Sequence, residues 1–207
     1  MTKKLFLFVF FGMLLISSAH TETFSGPTKL MMRFFDTLTV NGQANLKLVK
    51  TQTLTVNGTL TFSSLDVAQN AEINGPLKGN KGKFGDLTVH GPVEVTYVIC
   101  NKLNVTGPVT ASYLEVLDEA VIYGTLTADN SKLHNLTIET ENFTLDAVRV
   151  DNIVVKSSSA SKEQTLILKG KTIISGDITF ESGKGIVSVQ GSEVQIKGHV
   201  KGATTKP

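Results

Sequence analysis

The sequence predicts an all-β chain wound as a single-stranded parallel β-helix, a β-solenoid of about ten coils. Three observations carry this expectation. Residues 38–86 recur without a gap as residues 87–135, a 49-residue period in which 17 positions are identical. Apolar and polar residues alternate within each unit, as in Leu54-Thr55-Val56-Asn57-Gly58-Thr59-Leu60-Thr61-Phe62, the period of a strand with one buried face. Turn-forming Asn-Gly and Gly-Pro pairs interrupt that alternation at intervals, and no helical periodicity is present. Periods of this size belong to solenoids. A β-sandwich of short strands is the competing architecture, but it supplies no reason for a gapless duplication.

Residues 1–19 read as a cleaved secretory signal peptide. Lys3-Lys4 precede a charge-free run from Leu5 to Ile16, and Ser17 and Ala19 place small residues at the two positions a signal peptidase inspects. The apolar run is shorter than the ~20 residues a membrane-spanning helix needs. The expected destination is therefore export, to a periplasmic, cell-surface or secreted location, with no transmembrane segment after signal cleavage. Residues 20–37 form an N-terminal capping segment, because a stack of repeats exposes its core at the first and last coil. Within it Phe34 and Phe35 are expected to cover the first coil or to dock a partner.

The solenoid is expected over 38–199, as units 38–86 and 87–135, a degenerate unit 136–186 and a partial unit 187–199. A Leu-x-Val motif recurs at Leu38, Leu54 and Leu65, then at Leu87, Leu103 and Leu114, in steps of 16, 11 and 22 residues. Alternation continues in phase across Gly42, from Val40 to Ala44, Leu46 and Leu48, which fits a chain that turns a corner and keeps its inner face inward. In the third unit Leu166-Ile167-Leu168 echoes Leu65-Asp66-Val67 with about three residues inserted, and the serine-rich run Ser157, Ser158, Ser159, Ala160, Ser161, Lys162 is the place for them. Residues 200–207 read as a flexible polar tail.

The Val-x-Gly-x-Val/Leu cadence, as in Val56-Asn57-Gly58-Thr59-Leu60 and Val105-Thr106-Gly107-Pro108-Val109, resembles the repeats of bactofilin-type β-helices and the β-helical shafts of adhesins and phage fibres. The resemblance implies a scaffold and end-to-end self-association. Bactofilins lack an export signal, so the leader here departs from that pattern.

Chemistry is hard to find. With Lys3 and Lys4 removed, 18 basic residues face 18 acidic ones, and this balance argues against a nucleic-acid partner. Cys100 is the only cysteine, so no internal disulfide forms, and it reads as a buried, inert thiol. Glu139 and Glu141 are the best carboxylate pair, on one face of a strand about 7 Å apart, a spacing within the range of an inverting glycosidase yet common on solvated strands. Asp118-Glu119 reads as a turn. His90, His134, His199 and Cys100 have no metal-ligand spacing, and Lys78-Gly79-Asn80-Lys81-Gly82-Lys83 reads as a solvated basic loop. The sequons at Asn57, Asn104, Asn135 and Asn142 reflect how often asparagine and threonine occupy outward and turn positions.

No catalytic, cofactor or metal residue is therefore assigned, and no cofactor is expected. The sequence suggests a non-enzymatic exported scaffold with structural, adhesive or interaction roles at a bacterial envelope or surface. Its candidate contact residues are Phe34, Phe35, Ser157, Ser158, Ser159 and Lys162, and its partners another envelope or surface protein, a glycan, or a further copy bound end to end. The alternative is a carbohydrate-binding or carbohydrate-cleaving protein on the same scaffold.

Overall fold

The computed structural model describes residues 20–158 and 163–207. Every strand pairing among them is parallel, and successive coils pair with one another, so the chain is a β-solenoid of about 11 turns. The ladder between Thr28–Asn41 and Ala44–Asn57 shows one coil in full. It runs from Thr28 to Met31, skips Met32, runs from Arg33 to Phe35, skips Asp36, and runs from Thr37 to Asn41. Each coil thus has three faces, here called first (28–31), second (33–35) and third (37–41), and three corners.

Two corners carry a backbone signature. Between the third and first faces stand glycines with positive φ, at 42, 58, 75, 91, 107 and 124. Gly58 shows why: a Cβ there would lie 2.4 Å from the carbonyl oxygen of Gly42 in the preceding coil. Between the first and second faces a non-glycine residue adopts the left-handed conformation in coil after coil, at Met32, Leu48, Ser64, Lys81, Tyr97, Tyr113, Asn130 and Ala147.

As far as Asn130 both series repeat steps of 16, 16 and 17 residues, which together make the 49-residue period. The long coil holds one extra residue at the third corner. The register shifts between Thr51 and Leu54 as Thr53-Leu54 gives way to Asn70-Ala71, and again between Cys100 and Lys102 opposite Leu117-Asp118. The sequence repeat is therefore a repeat of β-bulges, one every third coil.

Inside, like positions stack into columns. One on the third face runs Leu38, Leu54, Ala71, Leu87, Leu103, Ala120, Leu136 and Ile153, all at most 2% exposed. Each buried leucine contributes about 1.5–3 kcal/mol by leaving water. Volume is traded between neighbouring coils. Phe62 and Phe84 meet edge to face at 5.7 Å, and Gly79 and Gly82 give them room, since a Cβ at Gly79 would fall 2.2 Å from the Phe62 ring. The segment from Lys78 to Lys83 is thus strand, within Leu77–Val89, rather than a basic loop.

Several boundaries differ from those the sequence suggests. Residues 20–37 are solenoid rather than a separate cap: Thr21–Ser25 pairs with residues 37–41, and Thr28–Asn41 is a full coil. Residues 200–207 carry strands Val200–Lys201 and Ala203–Lys206, paired to Ile178–Phe180 and Gly185–Gln190. Asp177 ties that coil down, accepting from the His199 amide at 2.9 Å and the Lys201 ammonium at 2.7 Å. These two additions raise the coil count above ten.

The later coils are longer than the three-residue insertion allows. Asn142 pairs with Thr165, a step of 23 residues where the preceding coil has 17, and the excess lies at the run around Ser157. Leu166 consequently pairs with Phe143 on the first face, whereas Leu65 and Leu114 lie on the second. The apolar alternation looks alike on all three faces, which is why the sequence alignment slipped. Leu48, expected inside, occupies a left-handed corner and is 45% exposed.

Candidate functional site

The expected contact residues separate in space. Phe35 is buried, with the His20 ring stacked on it at 6.0 Å and Phe24 edge-on at 6.5 Å, so it closes the core of the first coil. Phe34 does not help to close it. It points out of the second face and is 73% exposed. Ser157 is exposed and Ser158 half-buried at the start of the inserted loop, while Ser159 and Lys162 lie outside the described residues. On the far side of that loop Gln164 is buried, and its amide donates to the carbonyls of Thr140 and Lys156 at 3.0 and 2.8 Å. Gln164 and Lys156, which flank the run, are therefore tied together, far along the rod from Phe34.

The exposed apolar residues are not scattered. Of nine large ones among the described residues, six (Met32, Phe34, Leu48, Tyr97, Ile99, Tyr113) lie on the second face or at the corner leading into it, and Met31 stands at the adjoining end of the first face. Leu117 sits at the neighbouring bulge, and Tyr123 alone belongs to another side. They form one strip along the rod over the first six coils. Exposed apolar patches, here two on one strip, mark contact surfaces.

The strip has an aromatic end, a charged middle and an aliphatic end. Tyr97 and Tyr113 stack at 4.6 Å with planes 16° apart, each about half exposed. Both stand at φ near 55°, a conformation that bulky residues rarely adopt and that costs about 1–3 kcal/mol. Asparagine or glycine would sit there more cheaply. Beside them an open groove of about 500 Å³ is bounded by Lys50, Asp66, Lys81, Lys83, Ile99 and Glu115. A second groove of about 340 Å³ runs between Met32, Phe34 and Leu48.

Lys50 approaches Asp66 at 3.8 Å, and Lys132 holds Glu115 at 3.0 Å. No ion pair among the described residues engages Lys81 or Lys83.

The residues considered for chemistry do not converge. Glu139 ends a strand and Glu141 stands at the following corner, on the far side of buried Thr140, so they do not share a strand face as their spacing suggests. Asp118 belongs to a bulge, where its carboxylate faces Lys102 at 3.6 Å. His134 pairs with Asp151 and His199 with Asp177, at different places on the rod. Among the described residues no three histidine, cysteine, aspartate or glutamate side chains gather as a metal site.

Cys100 is fully buried in the second-face column between Phe84 and Val116. Burial first, and then the charge of Asp86, push its thiol up to about 12. Asn57 donates to Asn41 at 2.7 Å and receives from Asn74 at 2.9 Å, so the first sequon asparagine belongs to a ladder along a corner.

Comparison with family models, curated proteins and solved structures finds no match to this chain.

Proposed function

We propose that this chain is an exported, non-enzymatic β-solenoid scaffold that works by presenting the second-face strip to a protein partner at a bacterial envelope or surface. One observation carries the reading: exposed apolar side chains are concentrated on a single strip of an otherwise polar rod. A stack of about 11 turns is a stiff mount, and the strained tyrosines are rigid anchors of the type that dominates contact energies. The leader at residues 1–19 supports export. The resemblance to adhesin shafts and bactofilin-type repeats supports a scaffold and end-to-end contact.

The stacked Tyr97–Tyr113 pair beside Lys81 and Lys83 favours a second reading, in which the groove binds a glycan. Incubating the purified chain with acidic and neutral glycans separates the two. Unchanged glycans and no retention are expected. Retention of one supports glycan binding, and cleavage of any would sink the non-enzymatic assignment.

A further inference from the structure

We propose that the occupant of the second-face strip is a second copy of this chain, packed face to face with its rod running in the opposite direction. The inference rests on reading the strip as a contact surface, and adds what meets it.

In coil order the outward residues of the second face are Phe34, Lys50, Asp66, Lys83, Ile99 and Glu115. In that column opposite charges adjoin at the centre, Asp66 beside Lys83, and in the adjoining corner column of Met32, Leu48, Ser64, Lys81, Tyr97 and Tyr113 apolar residues stand at both ends. Two arrangements bring such faces together. A two-fold along the rod sets Lys50, Asp66 and Lys83 each against its own copy. It also turns the apolar corner toward the polar third corner. Like charges brought together across an interface cost several kcal/mol.

A two-fold across the rod, level with the gap between the coils of Asp66 and Lys83, does the reverse. It keeps apolar corner on apolar corner and inverts the coil order. Asp66 then faces Lys83 of the second copy, and the converse pair forms by symmetry, as an isologous interface requires. On the corner Leu48 comes level with Tyr97 and Met32 with Tyr113, while in the outward column Phe34 comes level with Glu115 and Lys50 with Ile99. The unpaired Lys83 gains a partner, and both apolar ends are covered. Flat β faces pack at about 10 Å, and six coils at ~4.8 Å give a contact about 29 Å long, a small interface that dissociates on dilution through the micromolar range.

Analytical ultracentrifugation of the full chain from an exporting host, over that range, measures the dimer. Asp66→Lys and Lys83→Asp are each expected to weaken it by at least about tenfold, and the combined exchange to restore it. Orientation is read by oxidising Leu48→Cys and Tyr97→Cys chains, in which buried Cys100 stays silent. A disulfide that forms when the two are mixed, but in neither alone, supports the antiparallel pair. Self-linking of each variant overturns it. A chain that stays monomeric throughout overturns the dimer, and protection of the strip in exporting cells would then leave it a different partner. Equal reactivity of the strip in cells and in isolation ends both readings.

Discussion

Two alanine substitutions at equivalent corners measure how tightly the coils are stacked. Gly26 and Gly58 both have positive φ, at 87° and 152°, so alanine strains either backbone by about 1–3 kcal/mol. They differ in what lies beneath. A Cβ at Gly26 meets nothing within 4 Å, whereas one at Gly58 falls 2.4 Å from the Gly42 oxygen and 2.8 Å from its carbon. Relief requires the coils to part, against the bonds from the Gly42 amide to Asn57 at 3.1 Å and from the Ala44 amide to Thr59 at 2.8 Å. Overpacking adds about 1–3 kcal/mol, and two weakened hydrogen bonds add about 0.5–1.5 kcal/mol each. Gly58→Ala is therefore expected to lose about 3–9 kcal/mol and Gly26→Ala about 1–3 kcal/mol. Urea unfolding followed by far-ultraviolet circular dichroism compares them. Equal losses would refute backbone-on-backbone stacking at this corner.

Three further outcomes are expected. Gly79→Ala forces a methyl against the Phe62 ring and lowers stability by about 1–3 kcal/mol; Phe62→Leu in the same chain should recover part of that, read from urea midpoints. Cys100, with its thiol raised to about 12, should resist thiol reagents at pH 8 in the folded chain and react once it is unfolded. Asp177 is lowered to about 2, chiefly by the amide of His199 and then by Lys201. A depressed carboxylate stabilises the fold above its unfolded value and loses that contribution as pH falls through the folded one. Protection of amides in residues 195–206, relative to their intrinsic exchange rates, should therefore fall between about pH 4 and pH 2, and Asp177→Asn should show the lower protection already at neutral pH.

The coil was legible in the sequence because the core is aliphatic and one corner of each early coil is glycine, so both recur with the chain's own step. The 49-residue period was visible too. Its cause was not, because the Leu-x-Val motif lies on different faces: Leu38 and Leu54 on the third, Leu65 on the second. Parity misled for a related reason. Alternation keeps its phase across the glycine corner, from Val40 to Ala44, but reverses at the other two, from Leu30 to Arg33 and from Phe35 to Leu38. An even-numbered pattern carried through those corners puts Leu48 inside and cannot tell Phe34 from Phe35. The strip left one readable trace, since Tyr97 and Tyr113 are a single 16-residue coil step apart. Its other members come from two adjoining columns that only the folded chain places side by side.

Radical footprinting of the chain in intact exporting cells, set against the diluted purified chain, tests the contact strip most directly. Tyr123 is the internal control, being 49% exposed on another face while Tyr97 and Tyr113 are 50% and 47% exposed. The account predicts that Phe34, Tyr97 and Tyr113 are protected in cells and that Tyr123 reacts equally in both. Reactivity of Tyr97 and Tyr113 that matches the isolated chain would contradict it.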